Sequence, residues 1–169
     1  VDWPRISVVC CSYNGSATIR DTLDGLKNLA YPDFEVIVVN DGSKDDTIGV
    51  LRGLAAAHPQ LKVIDLARNY GQTAAMMAGF DYASGDIIVP MDGDLQNDPA
   101  DIPRLLNKLE EGYDVVSGWR KNRKDTYISR KLPSILANWL ISRMTHVALH
   151  DYGCTLKAYR REVLDQVRL

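Results

Sequence analysis

Apolar and polar positions follow two different rhythms along the chain. Residues 6–11, 34–40, 61–66, 86–91 and 113–117 form short runs rich in Val and Ile, the pattern of strands covered on both faces. Between them the spacing lengthens. Ile19, Leu23, Leu26 and Ala30 recur at four, three and four residues, and Ile102, Leu105, Leu106 and Leu109 share one face in the same way. Each set predicts the buried stripe of a helix. Ser43 followed by Asp46 resembles a capping box opening a further helix, which Pro59 ends. Covered strands separated by helices predict a mostly parallel sheet with right-handed crossovers, a doubly wound α/β structure. Ligands in such sheets bind beyond the carboxyl ends of the strands, so chemistry is expected there.

Composition narrows this picture. The chain has 169 residues, 46% hydrophobic and 25% charged, which suits one domain with a substantial core. No internal repeat, low-complexity tract or linker precedes residue 120, so residues 1–169 read as a single domain. Twenty basic and 22 acidic residues leave a net charge of −2, which argues against general nucleic-acid binding. Of the three cysteines, Cys10 and Cys11 are neighbours in a strand-like run. Their side chains should point to opposite faces and stay unpaired, as reduced thiols of a cytoplasmic protein would. There is no signal-peptide pattern and no uninterrupted apolar run of about 18 residues. The helical pattern of residues 161–169 stops abruptly, the end expected of a C-terminally truncated fragment of a longer protein.

The strand ends carry the candidate chemistry. The first run leads into Ser12-Tyr13-Asn14-Gly15-Ser16, the second into Asn40-Asp41-Gly42-Ser43, and the fourth into Met91-Asp92-Gly93-Asp94-Leu95-Gln96. In an extended segment residues two apart project to one side, which would aim Asp92 and Asp94 together. Paired carboxylates repel unless a cation lies between them or one is protonated. Hard oxygen donors suit Mg²⁺ or Mn²⁺, and Gln96 adds a neutral oxygen at the same period. The competing assignment is a solvated acidic turn. Asp41 has two readings of equal standing. It is part of an ordinary turn and cap sequence, or it accepts hydrogen bonds from a base N–H or a ribose hydroxyl at the usual nucleoside position. The chain lacks both G-x-G-x-x-G and G-x-x-x-x-G-K-[ST]. Pyrophosphate charge would therefore have to be balanced by metal and basic side chains.

Arg120, Lys121, Arg123, Lys124, Arg130 and Lys131 fall within twelve residues, opposed only by Asp125. Arg120 and Arg130 are the candidate phosphate contacts, because guanidinium binds phosphate oxygens bidentately; the rest of the run reads equally as a solvated loop or a closing one. Residues 132–149 are strongly apolar, a core helix by default and a membrane-interface helix as the alternative. His146 and His150 have no carboxylate at metal-site spacing and are expected to be structural.

Together these residues resemble glycosyltransferase family 2, with its GT-A fold, and within it the polyprenyl-phosphate sugar synthases. Residues 8–14 resemble the first nucleotide-contacting segment, and Asn40-Asp41-Gly42-Ser43 the second. Arg68-Asn69-Tyr70-Gly71, with Ala75 and Gly79 after it, resembles the family's Arg-Asn-x-Gly segment. Met91-Asp92-Gly93-Asp94-Leu95-Gln96 is similar to its metal motif, Ser117-Gly118-Trp119-Arg120 to its arginine segment, and Asp151 with Lys157-Ala158-Tyr159 to its last motif. Cys11 and Gly15 stand where the family usually has Pro and Glu, and Cys154-Thr155-Leu156-Lys157 where it has Ser-Gly-Phe-Arg.

The resemblance implies a metal-dependent inverting transferase at the cytoplasmic face of a membrane. Its donor would be a nucleotide-diphosphate sugar, a UDP-sugar ahead of a GDP-sugar, and its acceptor a polyprenyl phosphate. Tyr13, Asn14, Asp41, Arg68, Asn69 and Asp92 would hold the donor, and Asp92, Asp94 and Gln96 the metal. Arg120, Arg130 and Lys157 would hold phosphate groups, with Asp94, Arg120 and Asp151 as the catalytic set. A phosphate monoester, with its second pKa about 6, needs no base at neutral pH; Asp151 is the fallback base if the acceptor is a sugar hydroxyl. An aspartyl phosphatase or phosphotransferase and a non-catalytic nucleotide-sugar binding module are the alternatives.

Overall fold

The computed structural model describes residues 4–119 and 153–166. Six strands, β1 (Ile6–Ser12), β2 (Phe34–Asn40), β3 (Leu61–Asp65), β4 (Ile87–Asp92), β5 (Val115–Ser117) and β6 (Lys157–Arg160), form one sheet in the order β3-β2-β1-β4-β6-β5. The helices are α1 (Ile19–Lys27), α2 (Thr47–Ala57), α3 (Gln72–Tyr82), α4 (Ile102–Glu110) and the short α5 (Arg161–Leu164). β1, β2, β3 and β4 are mutually parallel, whereas β6 runs antiparallel to both of its neighbours. The expected α/β architecture is therefore present, with one strand that the apolar runs did not announce.

Side chains of β1 alternate between two cores, as the strand period requires. Ile6, Val8 and Cys10 pack with Leu23, Leu26, Leu51, Ile102 and Leu109, beneath α1, α2 and α4. Val9 packs with Ile37, Val39 and Ala75 beneath α3, and Cys11 lies against that second core. The two neighbouring thiols thus face opposite sides, and none of the three cysteines is in a disulfide. α3 approaches the sheet through small residues, since only Ala75 and Gly79 of this helix are buried. A Cβ at Gly79 would lie 2.3 Å from Val9 Cγ1. A close-packed interior has no room for that methyl, so glycine sets how near α3 can sit.

Pro90 lies inside β4, where a ladder normally rejects proline. β6 pairs with β4 only at Ile87 and Ile88, so that edge of the ladder ends before the residue without an N–H.

Two local expectations are corrected. Ala30 lies beyond the end of α1 and is exposed, while Leu29 and Tyr31 are buried in its place. Ser43 does not cap α2: its hydroxyl donates to Asn40 Oδ1 and accepts from Asn14 N. The first turn of α2 is held instead by Asp45, which accepts from Thr47 N at 3.1 Å and from the Thr47 hydroxyl. A shorter local hydrogen bond wins over the box spacing.

At the amino end of the sheet, away from the candidate site, Glu35 is buried. Its Oε1 accepts from Ser7 Oγ at 2.6 Å and from Ser84 N and Oγ at 2.7 Å, and Lys62 Nζ lies 2.6 Å from Oε2. Burial pushes this carboxyl up, but Lys62, Ser7 and Ser84 outweigh it and hold the pKa at about 2, from an ordinary 4.5. A depressed carboxyl stabilises the fold above its unfolded pKa and stops doing so as pH falls through the folded value. The shift corresponds to about 3 kcal/mol, which screening around the half-exposed Lys62 reduces to about 1–3 kcal/mol. Chemical denaturation between pH 7 and pH 2 should show this loss below about pH 4.5. Glu35→Gln should be less stable at pH 7 and should have a flatter pH profile. An identical acid profile in the variant would remove Glu35 as the cause.

Candidate active site

The carboxyl ends of β2, β1 and β4 lie side by side, with Ser12 in register with Asn40 and Cys11 with Asp92. After β1 the chain builds β2 and β3 on one side, then returns to place β4 on the other. This is a topological switch point, where the loops after two adjacent strands diverge and leave a crevice. The far side of the same edge is formed by the end of β5 and the start of β6, where Ser117 pairs with Lys157.

On the β1–β2 side the two loops are stitched together. Asn14 N donates to Ser43 Oγ at 2.9 Å, and Asn14 Oδ1 accepts from Lys44 N at 2.8 Å. Gly15 N donates to Thr47 Oγ1 at 2.9 Å and Ser16 N to Asp45 Oδ2 at 3.1 Å. Asp45 is held at about pKa 2, chiefly by the Thr47 hydroxyl, with burial opposing and Ser16 assisting. Asn14 sits at φ 52, a left-handed conformation that Asn tolerates better than most residues. Its side-chain oxygen thus serves the loop. Tyr13 beside it is 46% exposed, an aromatic face at the mouth of the crevice.

Asp41 is only 3% exposed, and both its oxygens are engaged. Oδ1 accepts from Tyr70 N at 2.7 Å and Oδ2 from Gly71 N at 3.0 Å. The carboxylate therefore anchors the segment Arg68-Asn69-Tyr70-Gly71, which starts α3. Gly42, at φ +62, lets the two backbones touch, because a Cβ there would lie 2.2 Å from Arg68 C. Above this anchor Arg68 stacks over the Tyr70 ring at 4.8 Å, and Arg68, Asn69 and Tyr70 are all exposed.

On the β4 side the strand ends at Asp92 and the chain bends from Gly93 onward. Extended backbone, and with it the two-residue side-chain period, therefore stops at Asp92. Leu95 adopts φ 65 and is 52% exposed, a strained conformation for a bulky residue, costing about 1–3 kcal/mol. It turns the backbone between Asp94 and Gln96. Asp94 Oδ1 accepts from Gln96 N at 3.1 Å, and Asp92 Oδ1 accepts from Gln72 Nε2 at 2.9 Å. Thr18 Oγ1 donates to Gly93 O at 2.8 Å, tying the bend to the start of α1.

The Cys10 and Cys11 thiols lie in the sheet beside these acids. Burial, then Cys11 and the carboxylates of Asp92 and Asp94, push the Cys10 thiol far up. Burial, then Asp92 and Asp41, raise Cys11 to about 12. Asp41, Asp92 and Asp94 thus impose one negative field on the floor of the site, where a cation is favoured. Asp92, Asp94 and Gln96 offer hard oxygens, which fits Mg²⁺ or Mn²⁺. Among the described residues no three His, Cys, Asp or Glu side chains group as a metal site. A cation held by these two carboxylates would leave coordination positions for phosphate oxygens and water.

Lys157 lies at the same edge, its ammonium donating to the Cys154 carbonyl. Arg120, Arg130, Asp151 and residues 132–149 lie outside the described residues. Among the described helices none is long and apolar enough to cross a membrane. Three residues with evident positioning roles were not anticipated: Gln72, Thr18 and Asp45. For Asp45 the signal was present, since an acid two residues before a helix-opening Thr can bond back to it.

Residues 7–168 match glycosyl transferase family 2. The chain belongs to that family. It is 52% identical over 149 residues to the dodecaprenyl-phosphate galacturonate synthase of Rhizobium johnstonii, covering 83% of this chain and 43% of that protein. It is 44% identical over 165 residues to the undecaprenyl-phosphate 4-deoxy-4-formamido-L-arabinose transferase of Pseudomonas fluorescens, covering 95% and 48%. The chain thus spans about half the length of the curated relatives it matches. Among solved structures, a mannosyltransferase from Pyrobaculum calidifontis in complex with GDP-Man and Mn²⁺ superposes with a TM-score of 0.73 at 25% identity, over 96% of this chain and 46% of that one. The glucosyl-3-phosphoglycerate synthase of Mycobacterium tuberculosis, with Mn²⁺, UDP and phosphoglyceric acid, gives 0.74 at 26% identity, over 95% and 57%. The fold is GT-A.

Proposed function

We propose that this chain is the catalytic domain of an inverting glycosyltransferase that moves a sugar from a nucleotide-diphosphate sugar to a polyprenyl phosphate, at the cytoplasmic face of a membrane. The observation that carries the reading is the switch-point crevice between β1 and β4, with Asp92 closing β4, Asp94 two residues beyond it and Asp41 directly after β2. Both of these relatives carry a prenyl phosphate in their names, which favours a phosphate acceptor over a sugar hydroxyl and over the aspartyl-phosphatase alternative. The Mn²⁺ in both structural neighbours supports a divalent cation.

In this reading Tyr13 and the Arg68–Tyr70 pair flank the nucleoside, with Asn14, Asp41 and Asn69 shaping the loops that carry them. Asp92, Asp94 and Gln96 hold Mg²⁺ or Mn²⁺, which when bound offsets charge growing on the leaving diphosphate. Arg120, Arg130 and Lys157 hold phosphate groups. The acceptor phosphate oxygen attacks the anomeric carbon from the face opposite the diphosphate, through an oxocarbenium-like transition state of the kind known in glycoside hydrolysis. The acceptor is already anionic at neutral pH, so Asp151 has no proton to remove.

Calorimetric titration with UDP and with GDP, each with and without Mn²⁺, tests the donor side. One nucleotide, UDP by expectation, should bind tightly only with metal. Sugar transfer from its conjugates to a polyprenyl phosphate then tests the acceptor. A folded protein that binds neither nucleotide sinks the reading; metal-dependent binding without transfer in the full-length protein would make it a binding module.

A further inference from the structure

We propose that Gln72 is a positioning residue for Asp92, and that it ties the metal end of the site to the nucleoside end. The proposal rests on Asp92 being a metal ligand, as argued above. Gln72 Nε2 donates to Asp92 Oδ1 at 2.9 Å across twenty residues of sequence. An amide N–H₂ can only donate, so in this contact Asp92 Oδ1 is the acceptor and Gln72 the donor.

What gives the contact weight is how firmly its donor is placed. Gln72 is the first residue of α3, immediately after Gly71 at φ +91. The two residues before it are fixed through their N–H groups by the buried Asp41. The helix after it is seated through Ala75 and Gly79, with no space for a larger side chain against Val9. The donor is therefore pinned from both sides, by the nucleoside loop and by the core. A shift at Asp41 is transmitted through Tyr70 and Gly71 to Gln72, and from Gln72 to the carboxylate at the end of β4.

Partners that hold a metal ligand in place typically affect metal affinity by about 10–100-fold. A purely structural role predicts something different. Gln72 is exposed, and exposed positions away from special features change stability little. Metal affinity and fold stability should therefore separate on substitution.

The test uses the full-length protein with Gln72→Met, which keeps side-chain length and helix propensity but removes the donor, and with Gln72→Ala. Mn²⁺ binding is followed by electron paramagnetic resonance without nucleotide, and the Mn²⁺ concentration giving half-maximal transfer is measured separately. Both variants should bind Mn²⁺ about tenfold more weakly or worse and need correspondingly more metal. Thermal midpoint and metal-free nucleotide binding should stay at wild-type values, and saturating Mn²⁺ should restore most of kcat. Wild-type Mn²⁺ affinity in both variants overturns the role of Gln72 and leaves the metal reading standing. Absence of Mn²⁺ binding to the wild-type protein overturns the metal reading itself, and this proposal with it.

Discussion

Asp94→Asn is expected to lower sugar transfer by about three orders of magnitude while the protein stays folded. The substitution removes charge and little else. Asp94 is exposed, and its Oδ1 accepts the local Gln96 N–H at 3.1 Å, a bond that the Asn carbonyl oxygen can also accept. The bend at residues 93–97 therefore keeps its shape. In the proposed metal site, what is lost is one of the two carboxylates that would hold the cation balancing the leaving diphosphate, a contribution of several kcal/mol to the transition state. At 1.36 kcal/mol per factor of ten, about 4 kcal/mol gives about a thousandfold. Transfer rates, a Mn²⁺ titration and a thermal melt measure the three parts of the claim. Near-wild-type turnover with an unchanged metal requirement would remove Asp94 from the metal site. A lowered melting point alongside lost activity would show that the bend depends on the acid, and would leave its chemical role undemonstrated.

Much of this fold was legible because strands and helices announce themselves by period. The run at 34–40 coincides with β2, and Ile102, Leu105, Leu106 and Leu109 are all buried in α4 as their spacing requires. β6 was not legible. Lys157-Ala158-Tyr159-Arg160 is four residues long and has no apolar run, so its strand character comes from lying between β4 and β5. Such tertiary context routinely overrides local β preference. The acidic pair was visible as a strand followed by Asp-x-Asp, but its geometry was not. Extended spacing ends at Asp92, and nothing in Leu95 as a residue type foretells φ 65. Gln72 was invisible for a related reason: its partner Asp92 is brought to it by the crossover of α3, not by any local spacing.

Asp41 shows most sharply where reading the chain stops, and its substitution carries the second large expected effect. The sequence allowed either a nucleoside ligand or an ordinary turn residue. The structure adds a third role, the bidentate anchor of a loop twenty-nine and thirty residues further on. Hydrogen bonds to a charged partner contribute about 1.5–3 kcal/mol each, so Asp41→Ala should destabilise the ligand-free protein by about 3 kcal/mol or more. Asp41→Asn should not rescue it. An amide offers one acceptor, and its NH₂ would then face the Tyr70 or the Gly71 N–H, donor against donor. Because the loop also sets Gln72, metal affinity should fall together with nucleotide affinity. Hydrogen exchange at residues 68–72, measured without ligand, separates the roles. Faster exchange and a lower melting point in both variants are expected from an anchor, whereas a residue that only binds the nucleoside would lose nucleotide affinity with exchange and melting unchanged. In the second case the hydrogen bonds to Tyr70 and Gly71 would be incidental to the position of α3, and the coupling from Asp41 through Gln72 to Asp92 would have no first link.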